Sequence, residues 1–170
     1  MRPHGAVQGD PGSEPFNPVT LRELNAVLES ARSLQAGARR GALQRPLRGK
    51  HLCVLVGDEN DADMSLFSAA AAELGARVTV IPSSLTELTT PLEVRHTARM
   101  LGRLYDAVEC QGMAPELVRS IANEAGVPVY DAIASADHPT VRLAESIDGE
   151  MSAAENRRFV LQAVLATSIG

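Results

Sequence analysis

Four short apolar runs, separated by segments with helical periodicity, set the pattern of this chain. They cover residues 51–56, 77–81, 107–110 and 127–130. Runs of this length are typical of strands buried on both faces of a parallel sheet. The intervening apolar periodicity predicts helices over 62–74, 92–105 and 115–125. This alternation predicts a single three-layer α/β domain with a four-stranded parallel sheet, right-handed crossovers and helices on both faces.

Further helices are expected outside this alternating region. Thr20 and Glu23 have the spacing of a capping box and begin a predicted helix over 21–36. Two more helical patterns cover 139–147 and 152–167, and Gly75 and Gly126 stand where C-cap glycines belong. Residues 1–18 are rich in Gly and Pro, which predicts a flexible tail before the domain.

Composition narrows the possible partners. The chain has 170 residues, 45% of them apolar, and its net charge is −5. Aromatic residues make up only 3%, which argues against a base-stacking nucleic-acid surface. The net negative charge gives no general attraction to nucleic acid or to acidic membranes, and no apolar run approaches membrane-spanning length. We therefore expect a soluble, cytoplasmic protein.

The two cysteines are consistent with that compartment. Cys53 and Cys110 both lie in predicted strands, where we expect buried thiols in a reducing environment. A disulfide between them is possible but is not implied by the sequence. Charged and titratable residues elsewhere have ordinary interpretations: Arg99 and Arg103 are expected to form structural ion pairs, and His51 and His96 to be structural or surface residues.

The turn after the first predicted strand carries an unusual charge. Such a turn at a helix N-terminus commonly holds an anion, because unpaired backbone N–H groups point outward there. Here it carries four acids and no Lys or Arg, namely Asp58, Glu59, Asp61 and Asp63. A calcium loop is a weak alternative, since the sixth position is not Gly and the twelfth is not a matching Glu. We interpret it as a solvated acidic turn that caps its helix, with no metal.

A basic connector precedes the first strand. Residues 37–50 include Arg39, Arg40, Arg45 and Arg48. A solvated loop is the favoured interpretation of such a run, over a specific anion site.

Several motifs resemble a known family. Residues 97–107 read Thr-Ala-Arg-Met-Leu-Gly-Arg-Leu-Tyr-Asp-Ala, residues 125–130 read Ala-Gly-Val-Pro-Val-Tyr, and His138-Pro139-Thr140 follows. Leu47-Arg48-Gly49-Lys50 stands before the first strand. In this order and spacing the motifs resemble those of the ornithine and aspartate carbamoyltransferases, especially the ornithine type, over about residues 20–147. The resemblance implies that residues 19–150 form a carbamoyl-phosphate-binding type of domain.

The resemblance also implies that a second domain is missing. Family members have a further domain for the amino-acid acceptor, and a last helix then returns to the first domain. Residues 151–170 include Glu155-Asn156-Arg157, which resembles the start of that helix. We therefore expect the returning helix to pack on the same domain, without the acceptor domain between them.

The family's phosphate-binding residues are replaced in this chain. A Ser-Thr-Arg-Thr-Arg motif in the family aligns with Asn60, Asp61, Ala62, Asp63 and Met64. Another phosphate-contacting arginine aligns with Gln111, and the Gln that follows the family's His-Pro-Thr aligns with Val141. His138 and Thr140 match the family, in which the His polarises the carbamoyl carbonyl. His138 is the one catalytic candidate, although a structural role is favoured for it.

These substitutions predict a catalytically silent relative that acts as a binding or assembly module. No cofactor is expected, and the small-molecule ligand is unknown. A homotrimer follows from the family resemblance, and a partner chain is possible. The first alternative is a half-enzyme with residual carbamoyl transfer, using an acceptor domain from another chain. The second is a sensor that binds a cationic ligand at the acidic turn.

Overall fold

The computed structural model describes residues 21–57, 61–86, 89–147, 149 and 151–170. These residues contain six helices and four strands, which alternate as far as α5. They are α1 Leu21–Arg39, β1 His51–Val56, α2 Asp61–Glu73, β2 Arg77–Pro82, α3 Pro91–Leu104, β3 Ala107–Gln111, α4 Pro115–Ala125, β4 Val129–Asp131, α5 Thr140–Glu145 and α6 Ala153–Ile169. The predicted flexible tail and the Thr20 cap lie outside the described residues.

The four strands form one parallel sheet in the order β2-β1-β3-β4. Helices α1, α2, α5 and α6 cover one face, and their buried residues share a core with Leu52 and Val54 of β1. Helices α3 and α4 cover the other face around Cys53, Val108 and Cys110. The predicted α/β architecture is therefore confirmed.

The element boundaries differ slightly from those predicted. Helix α1 continues through Gly37 to Arg39, and the backbone reverses at Gly41, whose φ is +68°. Strand β4 begins at Val129 instead of residue 127, since Pro128 has no N–H to donate to a ladder. Helix α5 is shorter at both ends than the predicted 139–147. Gly126 is a left-handed C-cap with φ +71°, as predicted.

Helix α6 is docked on the domain by an almost continuous buried surface. All seven residues from Phe159 to Leu165 are buried, and the helix packs against α1, α2 and α5. A buried hydrogen bond joins it to α1, because the Gln35 Nε2 donates to the Asn156 Oδ1 over 3.2 Å. A capping box of Ser152 and Glu155 fixes its first turn. The predicted docking of this helix is confirmed.

The remaining structural residues are mostly as expected. Cys53 and Cys110 are buried free thiols, and burial raises the pKa of Cys53 to about 11. Arg99 pairs with Glu124 at 3.0 Å, whereas Arg103 has no ion pair within the described part of the chain. The His51 Nε2 lies 2.7 Å from the Thr79 Oγ1, which supports a structural role for this histidine. Among the described residues, no helix is long and apolar enough to cross a membrane.

Candidate functional site

The strand order of the sheet reverses at the carboxyl ends of β1 and β3, and we call this switch point the crevice. The chain leaves β1 toward β2 on one side, whereas β3 and β4 lie on the other side, so the strand order reverses here. In open α/β sheets, ligands bind outside the carboxyl ends of the strands at such a switch point. This edge is therefore the first place to look for a functional site.

The two turns that leave these strands are in close contact. The Gly57 N–H donates to the Gln111 carbonyl over 2.8 Å. A Cβ atom at position 57 would lie only 2.5 Å from the Gly112 carbonyl oxygen, a distance that no side chain tolerates. Glycine at position 57 therefore allows the backbones of the two turns to pack directly against each other.

The start of α2 brings one acidic side chain into the crevice. Of the five positions aligned with the family's phosphate motif, Asn60 lies outside the described residues and Asp61 begins the helix. Ala62 is exposed, and Met64 packs against the core. Asp63 is half-buried and accepts a hydrogen bond of 3.4 Å from the Gln111 Nε2. The structure thus joins Asp63 and Gln111, which are far apart in sequence.

His138 and Thr140 form a second part of the site, at the start of α5. The Thr140 N–H donates to the His138 Nδ1 over 3.2 Å. Since Nδ1 accepts this bond, the ring proton of the neutral imidazole lies on Nε2. Burial, together with the nearby Arg157 charge, lowers the pKa of His138 to about 4, although Asp137 opposes this. His138 is therefore neutral at pH 7 and can donate a hydrogen bond from Nε2.

Arg157 connects α6 to this motif. Its side chain is buried, with the guanidinium donating to the Thr140 Oγ1, to the Ile133 carbonyl over 2.6 Å and to the Ser135 carbonyl over 3.0 Å. Burial lowers the pKa of Arg157, and the negative charge of Asp63 partly opposes that shift. Arg157 brings a positive charge to the crevice and holds the residues that precede α5.

Glu109 is a buried acid beneath the crevice. Its side chain is 1% exposed, and Oε1 accepts a hydrogen bond of 3.1 Å from the Ile133 N–H. The other oxygen, Oε2, has no hydrogen-bond partner within the described structure. Burial raises the pKa of Glu109 well above its ordinary value, and Asp131 and Asp63 raise it further. A neutral carboxyl at this position is the physical consequence.

The sequence analysis did not identify Arg157 as a site residue, and it did not identify Glu109 at all. Arg157 lies in a mostly apolar helical segment and 17 positions after Thr140, so no local spacing connects it to the site. Glu109 interrupts the apolar run 107–110, and that interruption was the available signal. An acid inside a buried strand needs a partner, which here is the turn after β4.

The described residues do not assemble a metal centre. Among them, no group of three or more His, Cys, Asp or Glu side chains is arranged to hold an ion. The calcium-loop alternative depends on Asp58 and Asn60, which lie outside the described residues. The structure instead describes the donors Gln111, His138 and Arg157 near three carboxyl groups, which are those of Asp63, Glu109 and Asp131.

Comparison with known proteins identifies this architecture. Residues 16–148 match the family model of the aspartate/ornithine carbamoyltransferase carbamoyl-P binding domain. Among solved structures, the ornithine carbamoyltransferase from Pyrococcus furiosus is similar at 26% identity and a TM-score of 0.68, over 79% of this chain and 44% of that one. The ornithine carbamoyltransferase from Gloeobacter violaceus is similar at 27% identity and a TM-score of 0.58, over 77% and 44%.

A third structure extends the fold similarity. The aspartate transcarbamoylase from Trypanosoma cruzi, in complex with N-(phosphonacetyl)-L-aspartic acid, shares 18% identity and a TM-score of 0.61, over 79% of this chain and 44% of that one. The chain thus matches less than half the length of these relatives. The family match covers more than half of the present chain and includes α1 to α5. This chain belongs to the aspartate/ornithine carbamoyltransferase family through its carbamoyl-P binding domain.

Proposed function

We propose that this chain is a catalytically silent carbamoyltransferase-type domain that acts as a binding or assembly module. The observation that supports this most is the Asp63–Gln111 hydrogen bond at the switch point. Both residues stand at positions where the family resemblance implies phosphate-binding groups. Asp63 thus places a carboxylate at this site, while Ala62 and Gln111 stand where the resemblance implies arginines that would attract a dianion.

The electrostatic effect of these replacements is large. A unit charge about 5 Å from another interacts by roughly 3 kcal/mol at an effective dielectric constant near 20. Asp63 adds one repulsive interaction of this size, and Ala62 and Gln111 each remove an attractive one, because both stand where the resemblance implies an arginine. The dipole of α2 contributes only about 1 kcal/mol in the opposite direction. Carbamoyl phosphate binding in the family's manner is therefore disfavoured.

Helix α6 supports the idea of an independent module. Its buried residues cover α1, α2 and α5, which would otherwise expose apolar surface. We propose that residues 151–170 correspond to the family's returning helix and that residues 19–150 form the carbamoyl-phosphate-binding type of domain. A homotrimer and a cytoplasmic location belong to the same proposal, and light scattering of the purified chain tests the oligomeric state.

A half-enzyme is the second candidate, and the geometry of His138 favours it. The imidazole is neutral, and its proton on Nε2 is suited to polarise a carbonyl group, the role that the family resemblance implies. Arg157 still supplies one positive charge beside it. In this alternative, the acceptor domain comes from another chain and some carbamoyl transfer persists.

Calorimetry with carbamoyl phosphate and with inorganic phosphate tests the proposal. Parallel NMR spectra follow the amides of Ala62, Asp63 and Gln111. We expect no saturable heat and no amide shifts at millimolar ligand, because Asp63 repels a dianion and the arginines that the resemblance implies at positions 62 and 111 are absent. A matched double variant, Asp63→Asn with Gln111→Arg, should gain binding if charge is the cause.

The alternatives predict different results in the same experiment. Saturable binding of carbamoyl phosphate by the natural chain would overturn the silent-domain proposal and favour the half-enzyme. Titration with a diamine such as putrescine tests the cationic-ligand alternative. Shifts at Asp63 with putrescine, but none with phosphate, would favour a sensor at the carboxyl groups.

A further inference from the structure

A cavity lies at the other end of α2, away from the crevice. It has a volume of about 270 Å³ and is bounded by the end of α1, the segment that follows it, and α6. Helix α2 has 13 residues, and at 1.5 Å per residue it separates the two places by about 20 Å. We call this cavity the connector cleft, since the basic connector forms one of its walls.

The floor of the connector cleft is apolar and fixed. Leu74 and Phe159 are both almost fully buried, and Leu34 of α1 contributes a third apolar wall. Gln162 is also buried, and its Nε2 donates to the Glu73 Oε2 over 2.7 Å. Leu34, Phe159 and Gln162 belong to packed helices and the buried Leu74 directly follows α2, so the cavity is preformed and can receive the apolar part of a small molecule.

The mouth of the cleft is apolar on one side and positive on the other. Leu43 lines it and is 51% exposed, a large apolar surface for a residue in an irregular segment. Arg40 also lines it. Within the described residues, the Arg40 guanidinium has no carboxylate partner. Leu43 and Arg40 therefore offer a ligand one apolar contact and one charge.

The surrounding charges favour an anion. Arg39, Arg45 and Arg48 lie on the same connector as Arg40. The residues described as lining the cleft include no acid, and the nearby Glu73 is engaged by Gln162 and by the Arg158 guanidinium at 3.3 Å. The four arginines of the connector thus favour an anion at the cleft, even though the whole chain is acidic. The sequence favoured a solvated loop for this connector, but the cavity beneath it supports an anion site.

We propose that the connector cleft binds a small organic carboxylate with an apolar body. The apolar body rests on Leu34, Leu74 and Phe159, while the carboxylate accepts hydrogen bonds from Arg40. The volume lies just below the roughly 300 Å³ at which pockets for drug-sized ligands begin, so the ligand is small. This site is independent of the crevice and of the function proposed for it.

Hexanoate is a suitable probe, and 1-hexanol is its neutral control. Amide NMR spectra of the full chain should show saturable shifts at Leu34, Leu74 and Phe159 with hexanoate. We expect hexanoate to bind about tenfold more tightly than 1-hexanol, since a charge-assisted bond to arginine is worth about one decade of affinity. Added salt should weaken hexanoate binding and leave 1-hexanol binding unchanged.

Two arginine variants of the connector distinguish specific binding at the cleft from a general electrostatic attraction. Arg40→Gln removes the charge at the cleft, and we expect it to weaken hexanoate binding about tenfold. Arg48→Gln removes an equal charge from a residue that does not line the cleft and should have little effect. Both residues are exposed, so both variants should fold, which circular dichroism can verify.

Three outcomes would overturn the proposal. The first is the absence of saturable shifts at the cleft up to the solubility limit of hexanoate. The second is equal binding of hexanoate and 1-hexanol, which would remove the role of the charge. The third is an equal loss of hexanoate affinity in Arg40→Gln and Arg48→Gln, which would indicate a general electrostatic attraction and not a specific site.

Discussion

Replacing Arg157 with Met tests whether this buried arginine holds the crevice together. The Arg157 guanidinium donates to three acceptors, the Thr140 Oγ1 and the carbonyls of Ile133 and Ser135. Hydrogen bonds from a charged group contribute roughly 1.5–3 kcal/mol each, but removing a buried charge also recovers part of its desolvation cost. The Ile133 carbonyl keeps one donor, Thr140. We therefore expect a net loss of about 3 kcal/mol in the free energy of unfolding.

Urea denaturation measures this loss, and the neighbouring residue provides the control. With an m-value of about 2 kcal/mol/M, a loss of about 3 kcal/mol lowers the midpoint by about 1.5 M. Arg158→Met removes a half-exposed ion pair with Glu73 and a contact over the Phe159 ring. Such interactions contribute about 1 kcal/mol in total, which corresponds to about 0.5 M. Equal midpoints for the two variants would refute the structural role of Arg157.

Three further variants test separate features. Gly102→Ala should lower the free energy of unfolding by about 3 kcal/mol or more, because the alanine Cβ would lie 1.7 Å from the Ala125 carbonyl oxygen. Calorimetric melting measures this loss. The pKa of His138, lowered from 6.5 to about 4, means that stability is lost as pH falls from 6.5 toward 4, and His138→Asn should flatten that slope in urea titrations. The raised pKa of Glu109 has the opposite effect, since the native state loses stability as pH rises from the ordinary pKa of Glu through the raised one. Glu109→Gln should therefore be more stable than the natural chain at neutral pH, as urea titrations can measure.

The sheet could be predicted from the sequence because each strand is a continuous apolar run. Leu52 to Val56 are all buried, as a strand covered on both faces requires. The helices were predicted by their apolar periodicity, which places Val94, Ala98 and Leu101 on one buried face of α3. These signals are local, so no knowledge of distant contacts was needed.

The site could be predicted only in part. The family motifs pointed to Asp63, Gln111, His138 and Thr140, but the Asp63–Gln111 bond depends on how α2 and β3 meet. Arg157 was missed because its burial results from α6 packing beside α5, a contact between segments that nothing local connects. The connector cleft was missed for a similar reason, since α1, the connector, Leu74 and α6 form it together.

The pairing of α1 with α6 has a consequence for the way the domain opens. The two helices are more than 100 residues apart in sequence, as the 121-residue separation of Gln35 and Asn156 illustrates. Contacts of such high sequence separation carry a loop-closure cost, so they form late in folding. Amide hydrogen exchange should therefore find α1 and α6 opening as one cooperative unit. The α3–α4 layer and the sheet face that it covers should stay protected during that opening, since their core does not include either helix.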